Sequence, residues 1–264
     1  MMDIIARVHA HMPYVLLSRY LPMVLEKKLN LEIYFSHYAL QSLDKKTCLQ
    51  TAQALKDAGC KVNFHAPFMD LRPAALDDSI QRTSLERIKQ AFDLAQYFSP
   101  LKIVCHPSFD ELYYVDCDDL WLENSIRFWN QLIPVARDGG FIIALENVYE
   151  KEPHILRCLF EALGTSQVCF CFDTGHFNVF SKAPLRTWME EMSPYLGHLH
   201  LHDNYGKYDD HLPVNSATFP FEKFFKELKK RGLKPTATLE AHRPEHLWQS
   251  LENLQKMSLW EQAD

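Results

Sequence analysis

The sequence predicts a single (β/α)8 barrel, and three observations carry that prediction. Its 264 residues match the usual barrel length of about 250. Short apolar strand-like runs alternate with amphipathic helical stretches from end to end. Six of the strand-like runs end in a histidine or an acid: His65 in VNFHAP, His106 in IVCHPS, Glu146 in IALEN, Asp173 in CFCFDTGH, His200 in HLHLHDN and Glu240 in TATLEAH. Successive gaps are 41, 40, 27, 27 and 40 residues, each room for one strand–helix unit. Buried strands rarely end in metal-liking side chains. Six in succession imply one site assembled at one end of a barrel, the C-terminal ends of its strands.

The strands read, in order, 4–9, 29–35, 61–66, 102–107, 141–147, 168–174, 196–203 and 236–241. They are short and rich in apolar, β-branched and aromatic residues, as strands covered on both faces should be. The helices between them have readable ends. One starts near Asp44 and stops at Gly59, a C′ glycine. DDSIQRTSLERIKQAFDLAQYF opens on a pair of aspartates that suit a helix N-terminus. DDLWLENSIRFWNQLIPVARDGG closes on Gly139 and Gly140, and FPFEKFFKELKKRG gathers its cations before Gly232. A doubly wound open sheet is the rival arrangement. However, no G-x-G-x-x-G follows the first strand, and an open sheet does not bring ligand-type residues from six strands to one focus. No linker or low-complexity stretch divides the chain, so 1–264 reads as one domain, with a short C-terminal tail from about 258 trailing the last helix.

Hydrophobic residues make up 47% of the chain, enough for a large core, and a net charge of −6 gives no field that seeks nucleic acid. The seven cysteines form no C-x-x-C pair, and Cys105, Cys169 and Cys171 lie inside strands. They read as small buried hydrophobes of a reducing compartment. The N-terminal MMDIIARVHAHM lacks the basic and long apolar regions of a secretory signal, and no run of 18 apolar residues occurs. The expectation is a soluble, cytoplasmic protein without a membrane span.

Three further candidates lie just past the strand ends: His176 in DTGH, and Asp209 and His211 in YDDHLP. A lone strand-end histidine or acid is ordinarily a hydrogen-bonded loop anchor; the joint pattern is what points to metal. Mixed imidazole and carboxylate suit zinc, manganese or iron better than magnesium or calcium. Five histidines and four carboxylates exceed the needs of one ion, so two or three are the natural reading, with Glu146 or Glu240 bridging. Carboxylates clustered without metal would repel one another. His198 reads as support beneath His200 and His202 as a loop contact, while His9, His11, His37, His154, His242 and His246 carry no spacing signal.

The ordered set HAP (65–67), HPS (106–108), LEN (145–147), DTGH (173–176), HLHDN (200–204), DDHLP (209–213) and LEAH (239–242) resembles the xylose-isomerase-like barrel superfamily across nearly the whole chain. That superfamily includes sugar isomerases and epimerases and the endonuclease IV type of abasic-site nuclease. The resemblance implies that Glu146, Asp173, His200 and Glu240 form a metal core common to both branches. In the epimerase branch the metal grips substrate oxygens while the two glutamates move a proton through a cis-enediolate. In the nuclease branch His65, His106, His176, Asp209 and His211 are added ligands and three zinc ions activate a hydroxide. The chain departs from the nuclease pattern where HLPVNSATFP replaces a glycine–glutamate–glycine run, and its loops hold few cations beyond Arg72 and Lys207. Phe68 and Met69 are read as walls of a sugar pocket rather than wedges into DNA.

The leading expectation is therefore a metal-dependent sugar or sugar-phosphate isomerase/epimerase with one to three zinc or manganese ions. Glu146 and Glu240 form its proton-transfer pair, and its substrate is a small carbohydrate. Substrate contacts are expected from Glu32, Tyr34, Asn147, Asn204 and Lys207. The alternative is a multinuclear-zinc phosphodiesterase with DNA as its partner, and a third reading is a non-catalytic metal- or metabolite-binding member. A homo-oligomer is compatible with each.

Overall fold

Eight parallel strands close into a barrel in sequence order. They are β1 (Val8–Pro13), β2 (Asn30–Tyr34), β3 (Val62–His65), β4 (Lys102–Cys105), β5 (Ile142–Glu146), β6 (Val168–Asp173), β7 (Leu196–Leu201) and β8 (Thr236–Leu239). Closure is made by β1 against β8, with Val8, Ala10 and the residue between them in register with Ala237–Leu239. This computed structural model describes residues 2–257, so the expected C-terminal tail from about 258 lies outside the described residues.

Seven strands fall inside the segments the sequence predicts, and the first does not. The run at 4–9 is apolar and β-branched, but Met2–Ile5 is a helix and the strand is VHAHMP. Its alternation decides the placement. Val8, Ala10 and Met12 are buried in the main core, while His9 and His11 face the barrel axis, near His198 and Glu240 respectively. Two strands end one residue earlier than the site residue they carry, so His106 and Glu240 sit just past β4 and β8.

The helical crossovers form where the sequence marks their ends. Asp44 caps helix Lys45–Asp57 by accepting from the Thr47 N–H at 2.7 Å, and Asp77 caps Asp78–Asp93 by accepting from Ser79 N–H at 2.7 Å. Gly59, with φ of 75°, turns the chain into β3 in a conformation that side chains disfavour. Several crossovers carry two helices rather than one, as in His37–Gln41 followed by Lys45–Asp57 after β2.

Two cores result. The larger lies between strands and helices, and includes Ile33, Phe64, Phe172 and Leu199 with the indoles of Trp121, Trp129 and Trp188. A small one, of Val104, Ala144, Cys169 and Cys171, fills the barrel interior on the β4–β6 side. The rest of the interior is polar and buried: Glu32, Asn63, His198, His200 and Thr238. All seven cysteines are free, five of them buried, in keeping with their reading as core residues. No helix among the described residues is long and apolar enough to cross a membrane.

Candidate metal centre

The C-terminal ends of the strands bring the predicted ligands together. Glu146 from β5, Asp173 from β6, His200 from β7 and Glu240 beyond β8 each offer one donor atom, and these four atoms lie within 4.8 Å of one another. His65 and His106 join Glu146 in a second group of the same kind. Their Nε2 atoms lie 3.4 and 3.3 Å from Glu146 Oε2. On the opposite side Asp209 Oδ2 is 3.0 Å from His211 Nε2 and 3.4 Å from His176 Nε2. All nine predicted ligands thus surround one mouth, with Glu146 shared between the first two groups.

The pattern of satisfied and unsatisfied atoms fits a cation. Three rings are tethered by Nδ1 to a main-chain carbonyl: His65 to Ala66 O (2.8 Å), His176 to Asn147 O (3.1 Å) and His211 to Glu240 O (3.0 Å). His65 and His211 therefore turn Nε2 toward Glu146 and Asp209. His176 also sets Nδ1 3.0 Å from Glu146 Oε1 and turns Nε2 to Asp209. His211 reaches its place on a left-handed backbone, φ 48°, a strained conformation for a side chain of this size. Below the focus, His200 Nε2 and Glu32 Oε1 are buried without a hydrogen-bond partner among the described residues. The same holds at the focus for both carboxylate oxygens of Glu146, Glu240 Oε2, His106 Nε2 and His200 Nδ1. These atoms approach one another at 3.3–3.5 Å without the alignment a hydrogen bond needs. Buried polar atoms are ordinarily satisfied. Donor atoms that converge on a common point, rather than on each other, can hold a divalent cation, and mixed imidazole and carboxylate suit zinc or manganese.

Electrostatics point the same way. Burial opposes ionisation of Glu146 and Glu240, but the neighbouring imidazoles, His200 first, outweigh it and hold both carboxyls well below their ordinary range. Burial also opposes protonation of His211, yet Asp209 and Glu240 push it up to about 9. A metal that takes Nε2 must displace that proton.

The expected substrate contacts divide. Tyr34 is half-buried at the mouth, its ring 5.5 Å from that of His65 and 5.4 Å from that of Phe68, and Phe68 stacks on His106 at 4.4 Å. Lys207 is exposed, its ammonium 5.3 Å over the Tyr208 ring. The other three are engaged elsewhere. Glu32 lies fully buried beneath His200, its register partners being His11 on β1 and Asn63 on β3, and its Oε1 is turned to His200 Nε2 at 2.9 Å. The Asn147 amide stitches β5 to β6, accepting from Asp173 N–H at 2.9 Å and donating to Asp173 O at 3.2 Å. Asn204 donates to Gly175 O and accepts from Asn178 Nδ2 and Gly206 N–H, holding the loop after β7 together.

Other residues join the site that sequence spacing did not mark. His202, expected as a loop contact, instead sets Nε2 3.0 and 3.1 Å from the two Asp173 oxygens and stacks on His211 at 4.0 Å. His11 Nδ1 is 3.8 Å from Glu240 Oε1, and His242 stacks on His211 at 3.7 Å. The period-2 alternation of VHAHMP and HLHLHD was the available signal. Asp203 carries no such signal. Its buried carboxylate accepts from the N–H groups of Asn204, Ser216, Ala217 and Phe219, folding the loop that bears Asp209 and His211 back over the mouth.

Residues 31–257 match the family model described as xylose isomerase-like TIM barrel, and the chain belongs to that family. Uncharacterized protein MJ1311 of Methanocaldococcus jannaschii is 26% identical over 187 residues, 68% of this chain and 64% of that protein. The match thus spans a little under two thirds of that relative's length. The fold superposes on the crystal structure of a D-tagatose 3-epimerase-like protein with a TM-score of 0.81 and 20% identity, over 95% of this chain and 97% of that one. It also superposes on the TTHB071 protein from Thermus thermophilus, from a ZnCl2 soak, with a TM-score of 0.78 and 25% identity, over 96% and 98% of the two chains.

Proposed function

We propose that the protein is a metal-dependent sugar or sugar-phosphate isomerase/epimerase in which Glu146 and Glu240 exchange a proton with a substrate carbon. The observation that carries this reading is the single focus at which two ionised glutamates, from β5 and β8, meet Asp173 and His200. The epimerase-like name of one structural neighbour and the zinc soak of the other support it. A divalent cation held by these four residues supplies Lewis acidity to a carbonyl and its neighbouring hydroxyl. The chain supplies the rest. One glutamate, ionised in the resting site, takes the proton from the carbon beside the carbonyl. The other, also ionised at rest, takes a proton from solvent and delivers it to the resulting enediolate, and the first returns its proton to solvent. His202 and the His176 N–H, at 2.6 Å from Asp173 Oδ1, keep Asp173 fixed while this happens. Tyr34, Phe68 and the His106 ring form an aromatic wall against which the C–H face of a sugar can lie.

Solvent exchange tests the proposal. Protein loaded with Mn2+ or Zn2+ is incubated in D2O with a panel of ketoses and ketose phosphates, and deuterium at the carbon beside the carbonyl is read by mass spectrometry. Incorporation that vanishes in Glu146→Gln and Glu240→Gln is expected; a panel with no incorporation sinks the idea. The groups around His65 and His106, and around Asp209, favour a second reading, a multinuclear-zinc phosphodiesterase. Cleavage of a duplex bearing an abasic site, lost in His65→Ala and His211→Ala, would put that reading in first place.

A further inference from the structure

We infer that Glu32 is a positioning residue that sets the tautomer of His200, receiving the Nε2 proton so that Nδ1 is the lone pair presented to the metal focus. This inference rests on the metal reading of the site and not on the sugar chemistry. Glu32 Oε1 lies 2.9 Å from His200 Nε2, while His200 Nδ1 faces Glu146, Asp173 and Glu240 at 3.3, 3.7 and 3.5 Å. The ring is thus held with Nε2 down and Nδ1 up.

That orientation is the reverse of its neighbours. His65 and His211 are tethered through Nδ1 by main-chain carbonyls and present Nε2 to Glu146 and Asp209. His200 sits within β7 near the barrel axis, where the carbonyls are committed to the parallel ladder. A side chain must provide the acceptor, and Glu32 reaches up from β2 to do so. Its other oxygen is fixed in turn. Thr238 Oγ1 donates to Oε2 at 2.8 Å, and His198 Nε2 lies 3.1 Å from it. His198 is itself anchored through Nδ1 to Thr236 Oγ1 at 2.7 Å. Glu32, His198, His200 and Thr238 are buried, so water cannot substitute for any of these contacts.

A buried carboxylate is costly unless it is bonded on every side. Here Thr238 and His198 hold Oε2, while Oε1 and His200 Nε2, 2.9 Å apart, have no other hydrogen-bond partner among the described residues, which leaves each to the other. A carboxylate behind a ligand imidazole also raises the donor strength of the nitrogen facing the ion, and loss of such a partner typically weakens metal affinity by about 10–100-fold.

Two measurements test the inference. Zinc affinity is read by competition with a chromophoric chelator for wild type, Glu32→Gln and Thr238→Val. Glu32→Gln is expected to bind zinc about 10–100-fold more weakly, with the circular dichroism and melting of the metal-free protein unchanged, and Thr238→Val to weaken it less. Long-range 1H–15N spectra of zinc-loaded wild type report the tautomer directly and need no variant to fold: His200 is expected to carry its proton on Nε2. Wild-type affinity in Glu32→Gln, or a proton on Nδ1 of His200, overturns the role of Glu32 while leaving the metal centre standing. Wild type that binds no zinc overturns the metal reading and this inference with it.

Discussion

Glu150 offers a quantitative check on the electrostatics behind the site. It lies four residues past Glu146 on the loop after β5, almost fully buried. Its Oε2 accepts from Val148 N–H at 2.7 Å, while Oε1 has no hydrogen-bond partner among the described residues. Burial dominates and pushes its carboxyl up from an ordinary 4.5 to about 7, against the backbone N–H groups and His176 that favour the charged form. The folded protein therefore retains a proton that the unfolded chain has already lost between these two values. The contribution of Glu150 to stability is full below 4.5, drains as pH rises toward 7 and stays lost above it. At ~1.4 kcal/mol per pH unit the full loss is about 3.5 kcal/mol. Glu150→Gln keeps an acceptor for Val148 N–H and removes the titration. Urea unfolding of EDTA-treated protein at pH 5 and pH 8 should show the variant gaining about 2.5 kcal/mol on wild type between the two, since part of the loss has already occurred by pH 5. An equal difference at both pH values would refute the argument.

Other outcomes follow from the same geometry. A cation that binds only the folded chain stabilises it by about 2.7 kcal/mol at 100 times its Kd, so zinc at that concentration should raise the urea midpoint; an unchanged midpoint would contradict the ligand reading. His211 holds its proton up to about 9 against an ordinary 6.5, because Asp209 and Glu240 together outweigh its burial. In the metal-free protein its pairing therefore stabilises below 6.5 and is lost as pH rises through about 9. Zinc binding should accordingly release protons and tighten from pH 6 to pH 9, as titration calorimetry in buffers of different ionisation enthalpy would report; flat affinity counts against it. Finally, a Cβ at Gly175 would overlap the His202 imidazole. Gly175→Ala should cost about 1–3 kcal/mol and displace His202 from Asp173, and His202→Ala in the same chain should recover the stability. Simple additivity of the two changes would show that the ring is not the obstacle.

Much of this site was legible because residue type and strand period coincide. Glu146, Asp173, His200 and Glu240 each close an apolar run, so their depth along the barrel follows from the strand end itself. Depth was what the sequence could not give for Glu32. It belongs to β2 as surely as Glu146 belongs to β5, but only the register with His11 and Asn63 puts it one layer below the mouth. His11 was hidden for a related reason, since a first strand placed at 4–9 leaves it in a loop. Asn147 and Asn204 show a different limit. An amide that binds a sugar and one that bridges two strands have the same sequence signature, and only their partners separate them.

The unsatisfied atoms and the strained loop make sense together. Each imidazole whose Nδ1 is tied to a main-chain carbonyl is fixed in orientation before any ligand arrives. The nitrogens and carboxylate oxygens left over are buried and face one another, an arrangement that costs stability in the metal-free chain. The apolar shell between strands and helices must offset that cost, and it is extensive and aromatic-rich, with Trp121, Trp129 and Trp188 all buried within it. Strain at His211 fits the same division: its left-handed backbone persists because the Asp203 carboxylate clamps the loop from the far side through four N–H groups. The barrel wall therefore provides the folding energy, part of which goes to holding donor atoms in a geometry that suits a divalent cation.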